Sequence, residues 1–114
     1  MIYAYAERVE NAEPSSAARN VVADLASMRT AYLEIEAAIR ENPDAEAAFG
    51  LATQLRELID ELVGEAATFR ALMADRVFRS EDMSLAELAR RLKISKARAD
   101  QLVRAAKAAV AEKS

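Results

Sequence analysis

The stretch SLAELARRLKISKARADQLVRAAK, residues 84–107, predicts two short helices joined by a tight turn. Its first part carries apolar or small residues at helical spacing: Leu85, Leu88, Ala89 and Leu92. Ser84 and Glu87 form the S-x-x-E capping pattern of a helix start. Lys93 falls in the turn and Ile94 points inward. The stretch therefore predicts a helical hairpin at the C-terminal end of the chain.

The second predicted helix begins after Ser95, whose hydroxyl can accept a hydrogen bond from a backbone N–H of the first turn. Five of its residues share one face: Ala99, Leu102, Val103, Ala106 and Val110. Ala89 on the first helix is small, so the two helices can approach closely at a steep angle. These residues predict a small inter-helix core.

The sequence MSLAELARRLKISKARADQLV resembles the "(M/L)S-x-x-E-(I/L)-A-x-x-L-x-(I/V)-S" pattern of bacterial helix-turn-helix DNA-binding regulators, particularly sigma-factor region 4. The resemblance covers roughly 24 of the 114 residues. It implies that residues 95–107 are a recognition helix that enters the major groove. The chain departs from the pattern at Lys93, where the family usually has a Gly with positive φ. It departs again at Ala99, where Val or Ile is usual.

Helical geometry selects the residues that would face DNA. At about 100° per residue, the side opposite the apolar face is centred on Ala97, Gln101, Arg104 and Ala108. Gln101 suits adenine, Arg104 suits guanine or phosphate, and Ala97 suits a thymine methyl. Six residues are predicted to contact backbone phosphates: Ser95, Lys96, Arg98, Lys107, Arg90 and Arg91. Asp100 on this face either accepts from cytosine or pairs with Lys96 or Arg104.

Charge divides the chain in the same place. Residues 1–83 carry 8 Arg against 16 Asp and Glu, whereas residues 84–114 carry 4 Lys and 4 Arg against 3 acidic residues. All the lysines of the protein lie in that last segment. This distribution is typical of a nucleic-acid-binding end on an acidic scaffold, although a chance fluctuation of charge along a helical protein gives the same pattern.

Two long helices are predicted ahead of this segment, over residues 16–41 and 44–79. In the first, apolar residues follow a heptad seam with spacings of 4 and 3: Val21, Leu25, Met28, Tyr32, Ile35 and Ile39. Ser15 and Ser16 are predicted to cap it, while Pro43 and Asp44 separate it from the second helix. The second has a wider apolar stripe, with Gly64 as the candidate position for a bend.

A short connection between two long helices favours an antiparallel, coiled-coil-like hairpin. Its apolar faces are too long for one hairpin to cover, so the sequence predicts a homodimer. The predicted interface comprises nine residues: Val21, Leu25, Met28, Tyr32, Ile35, Ile39, Leu55, Leu62 and Phe69. The alternative is a monomer in which the C-terminal helices fold back over these faces.

The expected fold is therefore all-α and has three parts. Residues 1–14 form an arm or short helix, residues 15–80 the dimerising hairpin, and residues 81–114 the helix-turn-helix segment. The chain has no Cys and no His, which excludes disulfides, thiolate chemistry and Cys/His metal sites. We expect no enzyme activity, no cofactor and no metal. Without a long apolar run or a signal-like N-terminus, we expect a cytoplasmic protein that does not enter membranes.

Two functions remain open on the sequence. The first is a small bacterial transcriptional regulator that binds a two-fold site on double-stranded DNA as a dimer. The second is a helical adaptor that binds another protein, for example RNA polymerase or a sigma factor, without reading DNA. The helix-turn-helix resemblance and the localised basic charge favour the first.

Overall fold

The computed structural model describes the backbone of residues 14–113 and the side chains of residues 20–113. This part of the chain is all-helical, as predicted, with four helices: α1 (Pro14–Arg40), α2 (Ala45–Ser80), α3 (Leu85–Leu92) and α4 (Lys96–Lys113). None of these four helices is long and apolar enough to cross a membrane. The predicted N-terminal arm lies outside the described residues, apart from Pro14.

Helix α1 begins two residues earlier than predicted. The prediction placed Ser15 and Ser16 at the cap, but both have helical backbone and Pro14 is the first helical residue. Proline suits the first helical position because its fixed φ is helical and the N–H it lacks would have no partner in the helix. At the start of α2, the Asp44 carboxylate caps the helix as predicted. Its Oδ1 accepts hydrogen bonds from the backbone N–H groups of Glu46 (3.1 Å) and Ala47 (3.2 Å).

The described residues fall into two compact units that divide between Gln54 and Leu55. The first unit contains α1 and the beginning of α2. Its large apolar side chains are mostly exposed, among them the heptad-seam residues Val21, Leu25, Met28 and Ile35, which are 45–61% exposed. The seam of the single chain is therefore uncovered.

The second unit, which begins at Leu55, contains the core. One group of buried residues joins the last turns of α2 to α4: Ala71, Ala74, Leu102 and Ala106. A second group joins α3 to α4: Leu88, Ala89, Ala99 and Val103. Because most of these residues are alanine, the helices lie close together and Leu88 is the largest fully buried side chain among the described residues.

The connection between α3 and α4 is built by two serine caps. Ser84 Oγ accepts a hydrogen bond from the Glu87 N–H (3.1 Å), and Ser95 Oγ accepts one from the Arg98 N–H (3.0 Å), as predicted. The Glu87 carboxylate, however, does not complete a capping box. It contacts arginine guanidinium groups instead, because Arg90 and Arg91 lie three and four residues further along the same helix.

Lys93 ends α3 in the left-handed conformation, with φ 60° and ψ 46°. Its N–H donates to the carbonyl of Arg90 (3.3 Å), and the N–H of Ile94 donates to the carbonyl of Ala89 (3.0 Å). These bonds satisfy carbonyl groups that the end of a helix otherwise leaves without partners. Lys93 is the one residue with positive φ among the described residues, in a conformation that glycine adopts without steric cost.

Replacing Lys93 by glycine is expected to stabilise the second unit by about 0.5–1 kcal/mol, because a left-handed conformation strains every residue that has a Cβ. Urea denaturation followed by circular dichroism measures the change. Lys107→Gly is the matched control, since it makes the same exchange inside α4 and is expected to destabilise by about 1 kcal/mol. A Lys93→Gly variant no more stable than the parent would contradict the assignment of the turn.

Candidate functional site

The two sides of α4 differ sharply in exposure. Ala99, Leu102, Val103 and Ala106 are buried, which confirms the predicted inner face over these four residues. Val110 was also predicted to lie inside, but it is 55% exposed. The prediction fails there because the buried cluster ends at Ala106, one helical turn earlier.

The outer side of α4 presents the predicted DNA-facing residues together. Seven of them are exposed: Ser95, Lys96, Ala97, Arg98, Gln101, Arg104 and Lys107. The eighth, Asp100, is half-buried, with 38% of its side chain exposed. The structure therefore brings three polar side-chain types, amide, guanidinium and ammonium, onto one helical surface.

Two pairs on this surface hold polar groups in place. Arg104 Nε donates to Asp100 Oδ2 at 2.9 Å, so of the alternatives considered for Asp100 the structure shows the pair with Arg104. Arg98 Nη1 donates to Gln101 Oε1 at 3.3 Å. The Arg104 side chain remains 78% exposed, and its two terminal nitrogens are available to an acceptor.

Lys93, Lys96 and Lys107 are cationic residues at or beside the N-terminal and central turns of α4. Among residues 20–113, whose side chains the structure describes, none of the three takes part in an ion pair. Each is exposed. An unpaired, exposed ammonium group exchanges water and counterions for a phosphate without first losing a carboxylate partner. Lys93 was noted in the sequence only for its turn position, and its left-handed backbone places it directly before α4.

Arg90 and Arg91 are held by carboxylates. Arg91 contacts both oxygens of Glu81, with distances of 2.9 Å and 3.2 Å, and its Nε lies 3.1 Å from Glu87 Oε2. Arg90 contacts Glu87 as well. These two arginines were predicted to bind phosphates, and a phosphate would have to compete with one or two carboxylates for each of them.

This network shifts the ionisation of its members. The Arg91 guanidinium holds the pKa of Glu81 below its ordinary value by hydrogen bonding and charge attraction. Hydrogen bonds from Arg91, and then from Arg90, lower the pKa of Glu87. The two carboxylates in turn raise the pKa of Arg91. Arg91 therefore links Glu81, in the connection that precedes α3, to Glu87 within α3.

Acidification is expected to weaken the ion pairs that Arg91 forms with Glu81 and Glu87. A carboxylate whose pKa is lowered in the folded state stabilises the fold above its unfolded pKa of about 4.3 and loses that contribution as the pH falls through its folded value. We therefore expect Arg91→Gln to be less stable than the parent at pH 6 and the difference to shrink as the pH is lowered to 3. Arg90→Gln, which removes contacts to Glu87 alone, should show a smaller difference at pH 6. Urea denaturation at both pH values measures this, and a difference for Arg91→Gln that is as large at pH 3 as at pH 6 would contradict it.

Asp75 is a charged residue whose burial sequence reasoning missed. It lies on α2 and is 8% exposed; its Oδ2 accepts from Arg79 Nε at 2.6 Å, and its Oδ1 has no hydrogen-bond partner among the described residues. The i, i+4 spacing to Arg79 was the available signal, but it does not reveal burial.

Comparisons of the chain with protein families, with curated proteins and with solved structures found no match.

Proposed function

We propose that this protein is a small bacterial transcriptional regulator that binds double-stranded DNA in a sequence-specific manner, as a homodimer on a two-fold site. The observation that carries the proposal is the outer surface of α4. It combines exposed, unpaired lysines with two positioned polar side chains, Gln101 and Arg104, on a chain that is otherwise acidic. An exposed surface of this composition suits a polyanion with base edges between its phosphates.

The arrangement of α3 and α4 supports a helix-turn-helix assignment. The two helices are joined by residues 93–95, pack through Ala89 and Ala99, and are each capped by a serine. The left-handed residue in the turn agrees with the resemblance to sigma-factor region 4. In such motifs the second helix enters the major groove by its N-terminal half while the first helix crosses the backbone.

In this proposal the residues of α4 divide between base contacts and phosphate contacts. Gln101 bonds the N6 and N7 edge of adenine, Arg104 bonds guanine, and the Ala97 methyl packs on a thymine methyl. The ion pair with Asp100 occupies Arg104 Nε and orients the guanidinium group, so the two terminal nitrogens are the ones that contact the base. Lys96, Arg98, Lys107 and the Ser95 hydroxyl, which can still donate, bind phosphates. Arg90 and Arg91 add weaker phosphate contacts because carboxylates hold them.

The long helices provide the dimer in this proposal. Five of the six seam residues of α1 are exposed in the single chain, as are Leu62 and Phe69 on α2, whereas Ile39 is half-buried. Burying them against a second copy, in a hairpin-based bundle or coiled coil, removes apolar surface from water at about 25 cal/mol per Å². A two-fold dimer would place two α4 helices in successive major grooves, about 34 Å apart.

Salt dependence of DNA binding tests the proposal. In a gel-shift titration with pooled genomic fragments, we expect affinity to fall steeply between 50 and 200 mM salt, with a slope of about −0.9 for each phosphate contact. A protein that makes four to six such contacts would lose roughly 10²–10³ in affinity over this range. Absence of a shift at low salt would overturn the proposal.

A protein-binding adaptor is the second candidate, and the exposed apolar residues outside the α1 seam favour it. Val22 is 71% exposed and Phe49 is 75% exposed, and both lie on the acidic part of the chain. An adaptor would use these side chains to bind a protein and would leave α4 without a DNA ligand. The same gel shift separates the two candidates, because the adaptor predicts no shift.

A further inference from the structure

Helix α1 carries charged residues of opposite sign on the two sides of its exposed seam, Asp24 on one side and Arg29 on the other. Asp24 is half-buried and Arg29 is exposed, and neither forms an ion pair with any residue in the part of the chain that the structure describes. They are five residues apart, so they lie on different sides of the helix and do not pair with each other. Charges at the two edges of an exposed apolar seam influence which helix can cover the seam and in which orientation.

The heptad pattern defines where these charges would meet a partner helix. The seam alternates two positions of the repeat, conventionally named a and d: Leu25, Tyr32 and Ile39 occupy a, and Val21, Met28 and Ile35 occupy d. Asp24 then falls at position g and Arg29 at the following position e. The g and e positions flank the seam, and their charges set the choice and orientation of partners.

The Tyr32 hydroxyl is compatible with a place in this seam. It donates to Glu36 Oε2 at 2.7 Å, at the edge of the helix. Its hydrogen bond is therefore already made, and the ring can pack in an apolar contact without leaving a polar group unsatisfied.

We propose that α1 pairs in parallel with α1 of a second copy, so that Asp24 of each copy faces Arg29 of the other. In a parallel pair, a residue at g lies beside the residue five positions later on the partner helix. Asp24 of each copy therefore lies beside Arg29 of the other, and the two-fold symmetry gives two such pairs of opposite charge. This inference rests on the dimer in the proposed function and adds its orientation and register.

The antiparallel arrangement of the same seam places like charges together. Full overlap of residues 21–39 puts the two-fold axis at Thr30, one residue from Arg29. Each Arg29 would then lie next to Arg29 of the second copy, and Asp24 would face Ala38. Moving the register by one heptad, so that residues 28–39 overlap, places Arg29 beside Glu36 of the second copy but removes about a third of the seam. The charges and the full length of the seam are satisfied together only in the parallel pair.

Engineered cysteines test the orientation, because the sequence contains no native cysteine. Val21→Cys and Ile39→Cys lie at the two ends of the seam, about 27 Å apart along the helix. In a parallel pair each variant faces itself, so each should form a disulfide-linked dimer alone under mild oxidation. An antiparallel pair predicts little dimer from either variant alone and a cross-linked dimer only from their mixture. That result, or no cross-link at all, would overturn the inference.

Charge reversal tests the register. Asp24→Arg and Arg29→Asp should each weaken the dimer about tenfold in sedimentation equilibrium, because each creates two like-charge pairs. An equimolar mixture of the two variants should recover the parental affinity, since all flanking pairs are again of opposite sign. The double variant should recover it as well. Weakening that neither combination repairs would contradict the pairing of Asp24 with Arg29.

These results are independent of DNA binding. Self cross-linking of both cysteine variants with no gel shift would retain the parallel pair and reject the regulator. A gel shift together with cross-linking of the mixture alone would retain the regulator and reject the parallel pair.

Discussion

Leu88→Ala is expected to lower the free energy of unfolding of the second unit by about 2–5 kcal/mol. Leu88 is fully buried between α3 and α4, in a cluster with Ala89, Ala99 and Val103. Its truncation removes the largest fully buried side chain among the described residues and leaves a cavity in this small core. Because the second unit has few other large buried side chains, we expect this unit of the Leu88→Ala variant to be largely unfolded at 37 °C.

Urea denaturation of Leu88→Ala measures this loss directly, with Leu33→Ala as the matched control. Leu33 lies on α1, is 50% exposed and falls outside the heptad seam, so its truncation should change stability by less than about 0.5 kcal/mol. If Leu88→Ala lost less than about 1 kcal/mol, the packing of α3 on α4 would be wrong, and the helix-turn-helix assignment would fall with it.

Lys96→Ala combined with Lys107→Ala is expected to weaken DNA binding by ten- to a hundredfold at physiological salt. Both side chains are exposed and unpaired, so each removal should abolish one phosphate contact in each copy. The slope of log affinity against log salt should become shallower by about 0.9 for every contact that is lost. The loss should be similar for all DNA sequences, because phosphate contacts carry no sequence information.

Lys113→Ala is the control for this pair, because it removes a lysine charge from the same helix away from the proposed DNA surface. Lys113 borders a groove with Glu61, Glu65 and Phe69 of α2. We expect its DNA affinity and salt slope to remain within about twofold of the parent. If Lys113→Ala weakened binding as much as Lys96→Ala, net charge rather than the α4 surface would control binding. Circular dichroism confirms that each variant stays folded.

The α3–α4 segment was predictable because its signals are local. A serine at each cap, the small Ala89 and a repeating apolar face all lie within 24 residues, and the structure agrees with them. The glycine usual at the position of Lys93 left two possibilities, a strained left-handed lysine or a turn of another shape, and the structure has the first. Local hydrogen bonds determine these features, so no distant residue has to be known.

Features that depend on distant contacts were not predictable. Ala71 and Ala74 form the α2 side of the core, whereas nearby Phe69 is 60% exposed. Large apolar residues dominate a sequence pattern, and alanines do not indicate which turn of a long helix packs. The ion pair between Arg91 and Glu81 joins residues that are ten positions apart, one in α3 and the other in the connection before it. Because a carboxylate already holds Arg91, this residue is a weaker candidate for a phosphate ligand than its sequence position suggested. Val110 was misplaced for a similar reason, since the length of the packed cluster is a tertiary property.

Selection and footprinting of the genomic fragments that the intact protein retains test the central claim most directly. The account predicts that retained fragments share a two-fold-related sequence, with half-sites about 34 Å or 10–10.5 base pairs apart. Protection should disappear in Lys96→Ala/Lys107→Ala and persist in Lys113→Ala. Retention of no fragments at low salt, or of fragments without a common site, would contradict sequence-specific recognition by α4.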